Sequence, residues 1–357
     1  MTGQPIAARI AAPRSSRPSR RAVIDVGTNS VRLLVADVAV HEGAVRLSHV
    51  HRDLAMPRLG RGVDRTGRLS DDAMQAAAGV VESFVRQARE LGAENVEVIG
   101  TSALRDAVNR DEFIALVRRR ADVEVRVISG RDEAALSFLG AVRGTPVAVP
   151  GAAVPAPAPG AGEGAHARKA GCETRPAEAP PVYVLDIGGG STELVRGRAD
   201  GTMESAVSVD VGSVRMTELC VRSDPVSDAD WTRLVEEVRA RLAPIQALRA
   251  GAGVLLAVGG TATTLAAVKQ RLRVYDPRRV HGFVLTRQDV AELAEALRQT
   301  PVAQRRTWPG LQPQRADVIV AGAVIAREVL SCLGAERLVV SESDLLEGVL
   351  IRSALAG

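Results

Sequence analysis

A Gly-Gly-Gly turn between two apolar runs carries the residue types that phosphate chemistry needs. The segment Val182–Val195 places Asp186 before Gly188, Gly189 and Gly190, and Ser191, Thr192 and Glu193 after them. Three glycines without Cβ atoms let backbone N–H groups close around an anion, and the two hydroxyls add donors. Mg²⁺ commonly binds through one or two carboxylates together with substrate phosphates. The segment therefore indicates a phosphate and metal site, with a glycine-rich hairpin and incidental acids as the alternative.

The same pattern occurs a second time near the start of the chain. Asp25 ends one apolar run, and Gly27, Thr28, Asn29 and Ser30 lead into another. A later turn, Gly259-Gly260-Thr261, opens a predicted helix. Two such hairpins in separate halves resemble the actin, Hsp70 and sugar-kinase fold, which is ribonuclease H-like. That resemblance implies two related α/β domains with the active site in an interdomain cleft.

Composition narrows the class of protein. The 357 residues exceed one ordinary domain, and 46% hydrophobic with 25% charged residues is typical of a globular protein. Only 2% of the residues are aromatic and the net charge is +4, which argues against a nucleic-acid partner with stacking platforms. Cys172, Cys220 and Cys332 lie far apart, which favours a reducing cytoplasm over a disulfide framework. No apolar run reaches the roughly 18 residues of a membrane helix, so no membrane partner is expected.

The chain divides by composition into four parts. We predict a disordered basic arm over residues 1–20, an N-terminal domain over 21–143, a flexible Pro/Ala/Gly-rich insertion over 144–181 and a C-terminal domain over 182–357. Within the domains, Ser70 is predicted to cap a helix, and a long helix is predicted over Trp231–Leu248. A short helix capped by Thr101 or Ser102 would place Arg105 and Asn109 one turn apart on one face. The terminal helix is expected to pack on the first domain.

Seven segments, in order along both halves, resemble the exopolyphosphatase and guanosine pentaphosphate phosphatase (Ppx/GppA) family. They are Asp25-Val-Gly-Thr-Asn-Ser30, Arg58-Leu-Gly60, Gly100-Thr-Ser-Ala-Leu-Arg105-Asp-Ala-Val-Asn109, Ile128-Ser-Gly-Arg-Asp-Glu133-Ala134, Asp186-Ile-Gly-Gly-Gly-Ser-Thr-Glu193, Gly212-Ser-Val-Arg215-Met-Thr-Glu218 and Val258-Gly-Gly-Thr-Ala. The resemblance spans about Ala22 to Ile351. It implies hydrolysis of terminal phosphoanhydride bonds of polyphosphate or guanosine pentaphosphate, with release of orthophosphate.

The resemblance also implies roles for individual residues. Mg²⁺, with Mn²⁺ as the alternative, would be held by Asp186 and Glu193. The terminal phosphates would be bound by both hairpins and by a short helix; the residues are Asp25, Gly27, Thr28, Asn29, Ser30, Arg105, Asn109, Gly188, Gly189, Gly190, Ser191 and Thr192. Phosphoryl transfer depends mainly on positioning and charge neutralisation, which these residue types can supply.

The catalytic base is carried over onto Glu133. From position alone, the favoured interpretation of Glu133 is a first-turn acid that suits the helix dipole, and only the family resemblance favours the catalytic role. Asp132 is the rival, but the motif places the base at the second acid. Many relatives follow Glu-Ala with Arg, whereas this chain has Ala135, so a substrate contact is missing or supplied by Arg131.

Weaker candidates and rival functions complete the hypothesis. Asp25 could assist the metal or shape its turn, and Arg32, Arg58 and Arg215 could line the groove or lie on the surface. His281, Asp344 and Glu347 are expected to be structural. An ATP-dependent kinase binding ATP at Gly259–Thr264 and a non-catalytic sensor of guanosine tetra- or pentaphosphate are the alternatives. A homodimer is compatible with the family, and the sequence ranks neither the substrates nor the metals.

Overall fold

The structure, a computed structural model, describes residues 18–145, 180–248 and 253–356. The described residues form two compact units: unit 1 is residues 18–129 with 346–356, and unit 2 is the described part of residues 130–345. Most of the predicted basic arm and the insertion, together with Cys172, lie outside the described residues. No helix in those ranges is long and apolar enough to span a membrane.

Unit 1 is built on a five-stranded mixed sheet. Its strand order is β3-β2-β1-β4-β5, in which β1–β2 and β2–β3 are antiparallel and β1–β4 and β4–β5 are parallel. The strands are β1 (Ser19–Val26), β2 (Val31–His41), β3 (Ala44–Ala55), β4 (Asn95–Gly100) and β5 (Val125–Val127). The helices are α1 (Val63–Thr66), α2 (Asp71–Glu90), α3 (Ser102–Asp106), α4 (Arg110–Ala121) and the terminal α14 (Leu345–Ala356), which from Leu346 belongs to this unit.

Helix α2 shows how the sequence builds this unit. The Ser70 hydroxyl accepts a hydrogen bond from the Ala73 amide at 3.3 Å, and Asp71 and Asp72 follow in the first turn. Both features stabilise a helix N-terminus. Met74 and Val81, on its apolar face, are buried against the sheet. The prediction of a helix capped by Ser70 is confirmed.

Unit 2 is built on a six-stranded mixed sheet of related topology. Its order is β10-β11-β9-β6-β7-β8; β6, β7 and β8 are antiparallel neighbours, and β6–β9 and β9–β11 are parallel. The strands are β6 (Val182–Ile187), β7 (Thr192–Gly197), β8 (Met203–Val209), β9 (Val254–Val258), β10 (Val284–Thr286) and β11 (Arg337–Val340). Each unit thus places an antiparallel three-stranded meander beside parallel strands, which confirms the prediction of two related α/β domains.

Helices cover both faces of this sheet. They are α5 (Gly130–Gly144), α6 (Ser213–Cys220), α7 (Asp228–Arg241), α8 (Ala243–Gln246), α9 (Gly259–Lys269), α10 (Pro277–Val280), α11 (Arg287–Gln299), α12 (Val302–Arg305) and α13 (Ile319–Leu333), with a 3₁₀ turn at Pro313–Arg315. The larger, aliphatic core includes α9, α11 and α13. A smaller cluster packs α5 against β6, β7 and β9.

Two sequence-based boundaries differ from the structure. Helix α5 groups with unit 2, although the sequence placed it before a boundary at 143, because Ala134 and Phe138 pack against strands of the second sheet. The predicted single helix over Trp231–Leu248 is wrong: α7 ends at Arg241 and the short α8 follows. Pro244, in the first turn of α8, lacks the N–H that a continuous helix would require there.

Candidate active site

The Gly-Gly-Gly turn of unit 2 joins β6 to β7 with a fixed backbone geometry. The Gly188 amide donates to the Ser191 carbonyl at 2.9 Å. The carbonyls of Gly188 and Gly189 accept hydrogen bonds from backbone amides of residues 213–215, and the Gly190 carbonyl accepts from Arg215 Nε at 2.7 Å. A Cβ at Gly212 would collide with the Gly189–Gly190 peptide, so this close approach requires glycine.

These carbonyl contacts determine where the amides of the turn point. In a planar trans peptide, C=O and the following N–H point in opposite directions. With three successive carbonyls directed at residues 213–215, the N–H groups of Gly189, Gly190 and Ser191 face the other side of the turn. Successive amides presented in this way form an anion-binding concavity. The predicted phosphate site at Gly188–Ser191 therefore has the backbone geometry for that role.

Three buried carboxylates come together beside this turn. Asp186 and Glu193 are directly opposite each other across the β6–β7 pair, with 9% and 1% of their surface exposed. Glu133, in the first turn of α5, is 8% exposed. Burial raises the pKa of Glu193 well above its usual range, and the nearby charges of Glu133 and Asp186 raise it further. Like charges opposite one another in a sheet are unfavourable unless a proton or a cation compensates them.

Each carboxylate of the strand pair is held by a serine hydroxyl. Ser137 Oγ, on α5, donates to Asp186 Oδ2 at 2.8 Å, and Ser208 Oγ, on β8, donates to Glu193 Oε1 at 2.8 Å. Neither serine was predicted from the sequence. The signal that could have found Ser137 is its spacing of four residues from Glu133, which puts both side chains on one helix face.

The donor chemistry fits a divalent cation that binds together with phosphate. Within residues 18–145, 180–248 and 253–356, no three His, Cys, Asp or Glu side chains form a ready-made metal cluster. Asp186 and Glu193 can supply two oxygen ligands, and Mg²⁺ characteristically takes the remainder from phosphates and water. The mutual repulsion of the three acids is the stronger indication, because a cation would relieve it.

Burial distinguishes the two candidate bases. Glu133 faces the interior beside Glu193, whereas Arg131 and Asp132 are exposed and Ala135 is half-buried. Ala134 and Phe138 fix this orientation by packing against β6, β7 and β9. Of the sequence-predicted residues, the structure thus brings Glu133, Asp186 and Glu193 together, and it leaves Asp132 outside.

The first hairpin repeats this backbone geometry in unit 1. The Gly27 amide donates to the Ser30 carbonyl at 2.9 Å, and the carbonyls of Thr28 and Asn29 accept from the amides of Gly60 and Arg58. Thr28 Oγ1 and Asn29 Nδ2 are buried, and neither has a hydrogen-bond partner among the described residues. Buried polar atoms in that state indicate a ligand or ordered water.

The acid of the first hairpin has a different cross-strand neighbour. Asp25 is opposite Arg32, which donates from Nε and Nη2 to Asp25 Oδ2 at 3.0 and 2.8 Å. Arg32 therefore neutralises Asp25, whereas the equivalent position in unit 2 is occupied by the acid Glu193. This pairing favours the turn-shaping role for Asp25 over a role in binding metal.

The short helix after β4 corrects one expectation. Helix α3 ends at Asp106, so Arg105 and Asn109 do not share a helix face as predicted. Asn109 accepts from the Leu69 amide at 2.9 Å and donates to the Leu69 carbonyl at 3.0 Å, which is a structural use of both its polar groups. Arg105 Nη1 donates to the Ile128 carbonyl at 3.2 Å.

The remaining candidates have structural contacts. His281 Nδ1 accepts from the Glu342 amide at 3.2 Å. Glu347 is buried in unit 1, where it pairs with Arg52 and with His49 Nε2. At the third turn, the guanidinium of Arg315 lies against Gly260, and the Thr264 hydroxyl donates to the Gly260 carbonyl within its own helix.

Comparisons with known proteins point to one phosphatase family. The model of the Ppx/GppA phosphatase family matches residues 34–154 and 160–356. Exopolyphosphatase 2 of Mycobacterium tuberculosis is 36% identical over 355 residues, covering 95% of this chain and 99% of the relative. Guanosine-5'-triphosphate,3'-diphosphate pyrophosphatase of Vibrio atlanticus is 25% identical, and the match covers 93% of this chain and 59% of the relative. The crystal structure of the Aquifex aeolicus Ppx/GppA family member has a TM-score of 0.71 at 28% identity, and the match covers 95% of this chain and 99% of that one.

Proposed function

Because the chain belongs to the Ppx/GppA phosphatase family and is a phosphoanhydride hydrolase, we propose that it is an exopolyphosphatase. It would release orthophosphate from the end of inorganic polyphosphate. The observation that carries the proposal is the convergence of Glu133, Asp186 and Glu193 beside the outward amides of the Gly188–Ser191 turn. Anion-binding amides beside buried acids, two of which can supply oxygen ligands to a cation, suit a substrate made of phosphates.

The backbone turns would bind the phosphates. The amides of Gly189, Gly190 and Ser191 would donate to phosphate oxygens. The hydroxyls of Ser191 and Thr192, predicted as further donors, instead hydrogen-bond to Glu193 and to the Val211 carbonyl. In unit 1, Thr28 Oγ1 and Asn29 Nδ2 are buried donors for phosphate oxygen, in keeping with their lack of a partner among the described residues. Arg105 remains a proposed phosphate contact because its planar guanidinium can bind two oxygens at once. Asn109 is better explained by its hydrogen bonds to Leu69.

Glu133 would act on the attacking water. Its carboxylate accepts a proton as the water oxygen bonds to the terminal phosphorus, and the bond from that phosphorus to the bridging oxygen breaks. The shortened polyphosphate leaves with the bonding electron pair. Asp186 and Glu193 would hold Mg²⁺ or Mn²⁺, which when bound supplies charge neutralisation to the phosphate oxygens.

Polyphosphate is preferred because the relative at 36% identity is named an exopolyphosphatase. Guanosine pentaphosphate is the second candidate, supported by the Vibrio relative's name and by the same type of bond at its 5′ end. An ATP-dependent kinase is less favoured, because the Mycobacterium and Vibrio relatives are named as phosphoanhydride hydrolases and not as kinases. The intact acid set argues against a sensor without catalysis.

The test is orthophosphate release with Mg²⁺ from polyphosphate and from guanosine pentaphosphate, by wild type and Glu133→Gln. We expect release by wild type to fall about 100-fold or more in the variant, since general base catalysis contributes roughly 10²–10⁴-fold. Asp132→Asn is the matched control, since it removes the exposed neighbouring acid, and it should retain activity. Equal activity of wild type and Glu133→Gln would contradict the assignment of the base. Absence of release with retained binding would favour the sensor.

A further inference from the structure

Ser137 occupies an unusual place for a serine within a helix. It lies one turn after Glu133 on α5, and only 1% of its surface is exposed. Serines inside helices usually face solvent or bond to a carbonyl of the preceding turn. Here the hydroxyl leaves its own helix and donates to Asp186 Oδ2 on β6. The helix that carries the proposed base is therefore connected to the first proposed metal ligand.

In its apolar surroundings, the Ser137 hydroxyl would destabilise the fold if it lacked the hydrogen bond to Asp186. Ala134, Phe138 and Ala141 of the same helix are part of an apolar cluster with strands β6, β7 and β9. Burying a hydroxyl beside such a cluster is unfavourable unless it is hydrogen-bonded. An alanine would suit the helix better by intrinsic propensity. The contact with Asp186 is thus the feature that explains a serine at this position.

On the side away from Ser137, the Asp186 carboxylate lies against the backbone of Gly259. A Cβ on Gly259, which has φ +81°, would lie 2.6 Å from Asp186 Oδ1. One oxygen is therefore held by Ser137 and the other lies against the start of α9. The final torsion of an aspartate is otherwise broad. Together these two contacts restrict the carboxylate to one orientation.

We propose that Ser137 is a positioning residue that orients the Asp186 carboxylate for a divalent cation. This proposal rests on the proposed function only in taking Asp186 as a metal ligand. Outer hydrogen bonds that orient a metal ligand commonly change metal affinity by 10–100-fold. Ser208 makes the corresponding contact to Glu193 from a different strand, so each acid of the pair has its own hydroxyl donor.

The test compares Mn²⁺ binding, measured by electron paramagnetic resonance, in wild type, Ser137→Ala and Ser137→Thr. We expect the apparent Kd for Mn²⁺ to rise about tenfold in Ser137→Ala and to recover in Ser137→Thr, which keeps the hydroxyl. Ser223→Ala is the matched control, because Ser223 Oγ also donates to a buried carboxylate, that of Asp230, at 2.6 Å. That variant should lower the Tm and leave the Kd for Mn²⁺ unchanged.

The outcomes separate this inference from the proposed function. An unchanged Kd for Mn²⁺ in folded Ser137→Ala would overturn the positioning role, even if the enzyme hydrolyses polyphosphate. A tenfold weaker Kd in a protein that does not release orthophosphate would support the positioning role and count against the exopolyphosphatase. Wild-type protein that binds no Mn²⁺ would refute Asp186 as a ligand and the inference with it.

Discussion

The two hairpins have the same backbone geometry, but the residue opposite the aspartate carries a positive charge in one and a negative charge in the other. Asp25 is opposite Arg32 in unit 1, and Asp186 is opposite Glu193 in unit 2. The first pair neutralises itself with an ion pair at 2.8 Å. The second concentrates negative charge in a buried place, which is stable only with a proton or a cation. A single residue position therefore distinguishes a turn that shapes the backbone from a turn suited to metal.

Glu193→Gln should stabilise the metal-free protein and remove its response to Mg²⁺. The pKa of Glu193 is raised by burial and by Glu133 and Asp186, so this carboxylate favours folding below its unfolded pKa and loses that contribution as pH rises through its folded pKa. We therefore expect the free energy of unfolding to increase by about 1–2 kcal/mol at pH 8 and by less at pH 5, as measured in urea without metal.

Arg32→Gln is the control with the opposite sign. It leaves the buried Asp25 carboxylate without its ion pair and should lower the free energy of unfolding by about 2–3 kcal/mol, somewhat less than for a fully buried pair because Arg32 is partly exposed. If Glu193→Gln instead destabilised the metal-free protein at both pH values, electrostatic repulsion at this pair would be refuted.

At the scale of elements, the start of α7 depends on one aspartate. Asp230 Oδ2 accepts hydrogen bonds from the Arg222 amide at 2.7 Å and from the Ser223 amide and hydroxyl at 2.8 and 2.6 Å. The Ser223 hydroxyl, followed by the Arg222 amide, lowers the pKa of Asp230. This carboxylate therefore stabilises the fold above its unfolded pKa, and the contribution is lost as pH falls through its folded pKa.

Asp230→Asn should cost about 1–2 kcal/mol in the free energy of unfolding at pH 7, because an amide replaces a charged acceptor. The difference from wild type should narrow below about pH 4, where the unfolded aspartate is protonated. Asp228→Asn, at an exposed site of the same turn, should stay within about 0.5 kcal/mol. Urea unfolding at pH 7 and pH 3.5 measures both, and a pH-independent loss would argue against the charged acceptor.

The sequence predicted the elements whose signals are local. Glycine turns between apolar runs identified both hairpins, and Ser70 with two following acids identified the start of α2. What failed depended on distant contacts. The grouping of α5 with unit 2 follows from Ala134 and Phe138 packing on β6, β7 and β9, which all come later in the chain than residue 181, and no local pattern encodes that.

The candidate site divides in the same way. Glu133, Asp186 and Glu193 were predicted from the motifs, and the structure brings them together. Asn109 lies in a motif, yet its amide bonds to Leu69, a contact across 40 residues that motif reasoning does not reveal. Ser137 was missed because its partner is on another element. The local signal for Ser137 is its spacing of four residues from Glu133, which puts both side chains on one helix face.

On the scale of the whole molecule, the chain contains two units with separate cores. Among the described residues, the apolar cluster around α2 belongs to unit 1, and those around α13 and α5 belong to unit 2. The sequence has two tryptophans and two tyrosines, and all four lie in unit 2, at Trp231, Trp308, Tyr183 and Tyr275. Arg298 and Arg327 flank the Trp231 ring at 5.0 and 4.9 Å, an environment that unfolding removes. Tryptophan fluorescence therefore reports the unit that holds Asp186 and Glu193.

Mg²⁺ should raise the urea midpoint of unfolding that is measured by tryptophan fluorescence. The midpoint of the part of the far-UV circular dichroism signal that does not change together with the fluorescence should rise less. A ligand stabilises only the structure that binds it, by about 2.7 kcal/mol at 100 times its Kd, and both proposed ligands lie in unit 2. We expect the two signals to separate in urea at saturating Mg²⁺, with Ca²⁺ and metal-free samples as references.

In Glu193→Gln the separation should disappear, because one of the two ligands is lost while the fold is retained. A fluorescence midpoint that does not respond to Mg²⁺ in wild type would remove the metal site from unit 2. A response that survives in Glu193→Gln would place the cation elsewhere in that unit.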